Sequence, residues 1–228
     1  MQKLSVPDAT PYNYFGIDVG IYGTTAVVGA HYNGTDADFQ NPMPASGAVY
    51  VFERNENGIW EFWQKLTASD RDTLDWFGKS LKLQQNQLVI AAPGVDAQNV
   101  QAVGSVYYFT KDENGYWTEQ QKITPPDKTP YQKFGTSIAY NENYMVIGAP
   151  YESGVLDNGF VLGFYIENYG SAYIYKKQMD GSWAFAQKLL TPDGYSRIFG
   201  HSVGVLTLNE TETQILIGHP SNCLLYTS

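Results

Sequence analysis

Short apolar runs recur along this chain, each closed by Gly, Pro, Asn or Asp. "VVGAH" (Val27 to His31), "VIAAP" (Val89 to Pro93), "VIGAP" (Val146 to Pro150) and "LIGHP" (Leu216 to Pro220) are nearly continuous apolar stretches. "GAVYVF" (Gly47 to Phe52), "GSVYYF" (Gly104 to Phe109) and "GSAYIY" (Gly170 to Tyr175) combine small, aromatic and β-branched residues. A further kind, "GIWEFWQKL", "GYWTEQQKI" and "GSWAFAQKL", sets a Trp ahead of a Gln-Lys pair. Runs of this length between turn formers predict β-strands. No apolar stripe of helical period and length occurs, so the fold class predicted is all-β.

The runs keep a common phase. Phe-Gly pairs begin at Phe15, Phe77, Phe134 and Phe199, in steps of 62, 57 and 65 residues, and in the first three copies the next apolar run starts 12 residues later. Each repeat therefore reads as about four antiparallel strands, the signature of a β-propeller blade. Parallel β-helix coils are shorter and lack the regular Asn-Gly or Asp-Gly hairpins of "ENGIW", "ENGYW" and "MDGSW". Those pairs accept φ > 0 at both central positions. Blades are predicted over 15–76, 77–133 and 134–198, with a truncated blade over 199–222 that lacks its third strand. Residues 1–14 then hold the end of a preceding blade, "QKL" at Gln2, and a linker. The first strand of each blade is placed innermost. Phe15, Phe77, Phe134, Phe199, Trp60, Trp117 and Trp183 are read as core that fills the space between blades. A Gly in the second run lets a strand approach a crowded neighbour.

Phe-Gly followed by Gly-Ala-Pro, complete in "FGTSIAYNENYMVIGAP" (Phe134 to Pro150), resembles the FG-GAP repeat, the family of the integrin α-subunit propeller. The resemblance implies a propeller of about seven blades and an extracellular setting. Integrin-type copies often carry carboxylate-rich calcium loops between strands one and two, because Ca²⁺ takes six to eight oxygen ligands. Here those hairpins read "VGIYGTT", "LQQNQL", "YNENYM" and "VLTLNETETQIL", so no metal and no cofactor is expected. "TDAD" (Thr35 to Asp38) reads as a solvated loop. Seven blades at these steps would need roughly twice the 228 residues present, so the chain reads as a partial propeller, an open arc of about three and a half blades. The last six residues, "CLLYTS" (Cys223 to Ser228), match the translation of a sequencing-adapter end, TGT CTC TTA TAC ACA TCT, and are set outside the fold as a scar.

Composition narrows the partners. A net charge of −9 argues against nucleic acid and anionic membrane surfaces, and no apolar run is long enough to insert in a bilayer. Aromatics reach 15%, with 18 Tyr, which suits strands. One Cys allows no internal disulfide.

In the family, the loops between strands two and three and those between blades share the ligand-binding face. The former are His31 to Ser46, Gly94 to Val103 and Tyr151 to Tyr169. The last includes Phe160, Val161, Leu162, Phe164, Tyr165 and Ile166, which read as an extra hairpin or as an apolar lip for a partner. The blade-joining loops add Asp8, Asp70, Asp72, Asp75, Asp127 and Asp193, with Tyr12, Trp76, Tyr131 and Tyr195. Candidate ligand contacts are Tyr32, Asp36, Asp38, Asp72, Asp75, Trp76, Glu152, Asp157, Phe164 and Tyr165. An acidic, aromatic rim suits a basic protein or a glycan. Asn33 and Asn209 lie in glycosylation sequons, and Asn33, in a loop expected to be exposed, is the better candidate. His31, His201 and His219 occupy repeat positions, and no catalytic signature occurs, so no enzyme is expected. The function expected is extracellular or cell-surface recognition or adhesion through a protein ligand. A lectin-like propeller and an accessory domain of a larger secreted enzyme are the alternatives. Further blades of the same chain are the other partners expected.

Overall fold

The computed structural model describes residues 2–155, 165–166, 168–190, 198–209, 212–219 and 222–227, and these contain strands and turns without helix. The chain forms two compact units, Met1–Val95 with Val106–Lys122, and Asp96–Ser105 with Ile123–Ser228.

The first unit holds two four-stranded sheets. One runs in the order β1(Val19–Tyr22), β2(Thr25–Ala30), β3(Ala48–Arg54), β4(Trp60–Leu66), and the other β5(Ser80–Gln84), β6(Gln87–Ala92), β7(Ser105–Lys111), β8(Trp117–Ile123). β2 is buried along its whole length while β4 alternates, which separates a strand covered on both faces from one covered on a single face. Phe77 is fully buried among Val27, Val49 and Val51 of the first sheet and Ile90, Tyr107 and Phe109 of the second. β5 lies against β1: a Cβ on Gly20 would come within 3.1 Å of Leu83 and 3.3 Å of Leu81. At the equivalent positions of β1, Val19 is 62% and Ile21 67% exposed.

The second unit repeats the plan. β9(Ser137–Tyr140), β10(Tyr144–Ala149), β13(Ser171–Lys177) and β14(Trp183–Leu189) form a sheet in the order β14-β13-β10-β9. The loop between β10 and β13 carries a two-residue antiparallel ladder, β11(Gly154–Val155) with β12(Tyr165–Ile166). The last sheet has three strands, β15(Ser202–Asn209), β16(Glu212–His219) and β17(Asn222–Thr227). Its third strand runs through most of Cys223–Ser228, the segment that the sequence reading set outside the fold as a scar, in a repeat it read as lacking a third strand. Asn222 to Thr227 pair with His219 to Gln214 across a two-residue connection. The strand carries none of the Gly-Ser/Ala-x-Tyr landmark of β3, β7 and β13.

The Phe-Gly and Gly-Ala-Pro landmarks have one physical origin. In both units, the backbone just before the third strand runs beside the segment that enters the next sheet, with Gly47 bridged to Phe77 and Gly170 to Phe199 in parallel. Gly29 of the second strand faces the same segment, and a Cβ there would stand 2.1 Å from the Gly78 carbonyl oxygen. At the equivalent Gly148 the distance to the Gly200 oxygen would be 1.9 Å. Any side chain would push the sheets apart. The Phe ring then packs edge-on against its own third strand, Phe77 on Tyr107 and Phe134 on Tyr173, at centroid distances of 5.4 and 5.3 Å.

The hairpins between third and fourth strands depart from expectation. Only Gly58, Gly115 and Gly181 take left-handed φ (+79°, +88° and +85°), and the preceding Asn57, Asn114 and Asp180 do not. Gly58 N–H donates to the Asn55 carbonyl, and the Asn55 side chain accepts from Asn57 and Ile59 N–H, so one left-handed residue closes the turn.

Candidate functional site

The two loop classes expected on one face run side by side in each repeat. Leu74, Trp76 and Phe77 N–H donate to Pro44, Ala45 and Ser46 carbonyls, each at 3.0 Å. Tyr131, Lys133 and Phe134 do the same to Gln101, Ala102 and Val103 at 2.8 to 3.1 Å. Ile198 and Phe199 bond Asn168 and Tyr169. The residue before each Phe-Gly pair, Tyr14, Trp76, Lys133 or Ile198, sits at φ between +53° and +64°.

Behind this ladder lies a set of side chains that recurs three times. A Tyr from the third strand, the Lys of the Gln-Lys pair and an Asp seven residues before the Phe converge. In the first copy Lys65 Nζ lies 2.8 Å from Asp8 Oδ2, and the Tyr50 hydroxyl donates to Asp8 Oδ1 at 2.6 Å. Lys65 also donates to Asn33 Oδ1 and Thr35 Oγ1, lies 4.9 Å from the Phe39 ring centroid, and is 0% exposed. In the second copy Lys122 pairs with Asp70 at 2.5 Å and Tyr107 donates to the other Asp70 oxygen at 2.9 Å. In the third, Lys188 is shared by Asp127 and Glu152, and Tyr173 donates to Asp127 at 2.8 Å. Burial, helped by the adjacent carboxylates, pushes all three phenols well above their usual range.

Sequence reasoning grouped these aspartates as a rim and missed their partners. The signal was the fixed spacing of Asp to Phe-Gly, together with the recurrence of Tyr and Lys in the third and fourth strands. Glu152 is 1% exposed and accepts from Tyr169, Ser171 and Lys188. Asn33 is 2% exposed, and its amide donates to Asp8 and Tyr50. The loop position expected to be exposed is thus interior, and the amide that a glycan would occupy is enclosed. Asp36 is held by its own loop, accepting from Asp38 and Gln40 N–H and from the Asn41 side chain. Tyr32, Asp38 and Asp72 are exposed, and Trp76 is half-buried. Tyr165 pairs through its backbone with Val155. Asp157, Phe164 and Asp193 lie outside the described residues.

Asp75 stands apart. It is 4% exposed, and its carboxylate accepts from Asp72 N–H at 2.6 Å. Burial, opposed by that bond and reinforced by the Asp72 and Asp70 charges, pushes its carboxyl up to about 7. A carboxyl raised in the fold supports stability fully below its unfolded value of 3.8, and that support is lost as pH rises through about 7. Asp75→Asn is therefore expected to exceed the parent in stability above pH 7, by up to about 4 kcal/mol, and to match it near pH 4. Urea denaturation at the two pH values checks this. An equal difference at both would refute it.

The sheets are also tied across their outer edges. Gln64 donates to the Trp117 carbonyl and accepts from Trp117 N–H, at 3.0 and 2.9 Å. Gln2 makes the same pair of bonds to Trp60, at 2.6 and 2.9 Å. Gln2 thus takes the place on Trp60 that Gln64 takes on Trp117, as the repeat phase predicts.

No curated protein matches the chain. A family model described as the FG-GAP repeat matches it three times, over residues 1–52, 60–109 and 117–175. The second and third matches begin on the Trp of a fourth strand and end within the third strand of the next sheet. The sheets described above are thus β-propeller blades, and the chain belongs to the FG-GAP repeat family.

Proposed function

We propose that this chain is an extracellular recognition or adhesion module that binds a protein ligand through the paired loops at one end of its blades. One observation carries the reading: a constant frame holds variable side chains. The backbone ladder, the glycines and the Tyr-Lys-Asp sets repeat, while the surface positions beside them change from blade to blade. The residue before Phe-Gly and the second residue after the Gly-Ala or Ala-Ala pair are Tyr14 and Tyr32, Trp76 and Gly94, then Lys133 and Tyr151. The role is binding and not catalysis. Loops on a rigid scaffold are where recognition residues concentrate.

The test is binding of the purified chain to a panel of defined extracellular proteins by interferometry. Substituting the exposed Asp38 and Asp72 by Ala is expected to weaken binding roughly tenfold. Glu56→Ala and Glu113→Ala, on the hairpins at the opposite strand ends, should leave it unchanged. Binding that depends on the hairpins and not on the loops, or no binding at all, would overturn the reading.

A further inference from the structure

We propose that Tyr14 and Tyr32 form a saccharide-binding site over His31. This goes beyond the protein-ligand reading, because it names a second ligand class at one blade, and its test uses a different probe. Three rings meet there. Tyr14 and Tyr32 stand 5.0 Å apart at 42°, Tyr14 and His31 5.3 Å apart at 57°, and His31 and Tyr32 4.7 Å apart at 90°. Mutual tilts of this kind leave the phenol faces open instead of stacked on each other. Tyr14 is 56% and Tyr32 43% exposed, and Tyr12, two residues along, is 80% exposed. His31 beneath them is 4% exposed, and its Nδ1 has no hydrogen-bond partner among the described residues. Buried polar atoms are nearly always paired, so this unpaired nitrogen among the rings is an exception that a polar group entering the cluster would satisfy.

Chemistry narrows the class. Open aromatic faces take the C–H faces of a sugar ring, a flat aliphatic group, or a cation. Burial and the Lys79 ammonium hold His31 neutral, its pKa lowered to about 4. That nearby positive charge disfavours a cationic guest. A neutral imidazole and phenol hydroxyls offer hydrogen bonds that a purely aliphatic guest could not return. A ring with an apolar face and hydroxyl edges, neutral or bearing a carboxylate, satisfies all of these. The cluster is confined to this blade: the equivalent pairs are Trp76 with Gly94, and Lys133 lying 5.1 Å from the Tyr151 ring centroid.

The experiment presents the full chain to immobilised neutral and sialylated oligosaccharides, with choline as a cationic probe. Retention of at least one saccharide is expected, and little or none of choline. Tyr14→Ala and Tyr32→Ala should each weaken retention by roughly tenfold or more without changing the melting curve, whereas Trp63→Ala, an exposed aromatic elsewhere, should not. Should an Ala variant fail to fold, saturation-transfer NMR on the unaltered chain decides, because the sugar must receive magnetisation from tyrosine ring protons. No retained saccharide, retention indifferent to Tyr14 and Tyr32, no transfer from the rings, or tighter binding of choline would each overturn the proposal.

Discussion

Gly47→Ala is expected to destabilise the first unit by more than about 4 kcal/mol. Gly47 sits at φ +88°, where a Cβ alone costs about 1–2 kcal/mol. The greater part comes from contact. The added carbon would stand 2.1 Å from the Phe77 carbonyl oxygen and 2.3 Å from its nitrogen. Neither atom can retreat, because Phe77 N–H is bonded to Ser46 and the Phe77 ring is fully buried. Gly58→Ala is the control. Its φ is +79°, yet the nearest atom is the mobile Arg54 guanidinium at 3.0 Å. It should cost only about 1 kcal/mol. Urea denaturation followed by tryptophan fluorescence distinguishes the two, and equal losses would show that backbone conformation alone, and not the approach of the next sheet, requires the glycine.

Asp8→Ala is expected to cost about 3–5 kcal/mol. It strands the Lys65 ammonium, 0% exposed, without its directly bonded carboxylate, hydrogen-bonded to the neutral oxygens of Asn33 and Thr35. Adding Lys65→Met should recover much of the loss, since an apolar chain suits a pocket lined by Phe39 and Tyr50. The pH dependence carries a second signature. Burial acts to raise the Asp8 carboxyl, but hydrogen bonds from Lys65, Tyr50, Thr35 and Asn33 outweigh it and hold it at about 2. A depressed carboxyl supports stability above its unfolded value of 3.8, and that support is lost as pH falls through about 2. The gap between parent and Asp8→Ala should therefore narrow only in strong acid. A double variant no more stable than Asp8→Ala would refute the burial argument.

The strands were legible because they recur. Val27, Val89 and Val146 stand 12 residues after their Phe, and no single run would have carried that weight. The interior of the loops was not legible. Asn33 reads as a loop asparagine because its partners Asp8 and Lys65 lie 25 residues before it and 32 after it. Polar residues between strands look solvated until the chain returns to enclose them. β17 was not read as a strand for the opposite reason: its residues carry no repeat landmark, and only two residues separate it from β16. The hairpin geometry erred because Asn-Gly permits two left-handed residues without requiring them, and here the Asn55 side chain stabilises the turn that uses one.

The second and third matched stretches each take their first strand from one sheet and their other three from the next, so the repeats are stitched and not strung like beads. Separating the stretch that ends at Phe52 from the one that begins at Trp60 means stripping β4 from β3 along the register from Val49↔Leu66 to Arg54↔Trp60. It also means releasing both bonds between Gln64 and Trp117 if the second sheet is to come away. Under tension along the first unit, its two sheets have no slack hinge at this junction, because the chain passes from one matched stretch to the next inside a paired sheet. They hold together until a whole sheet gives way.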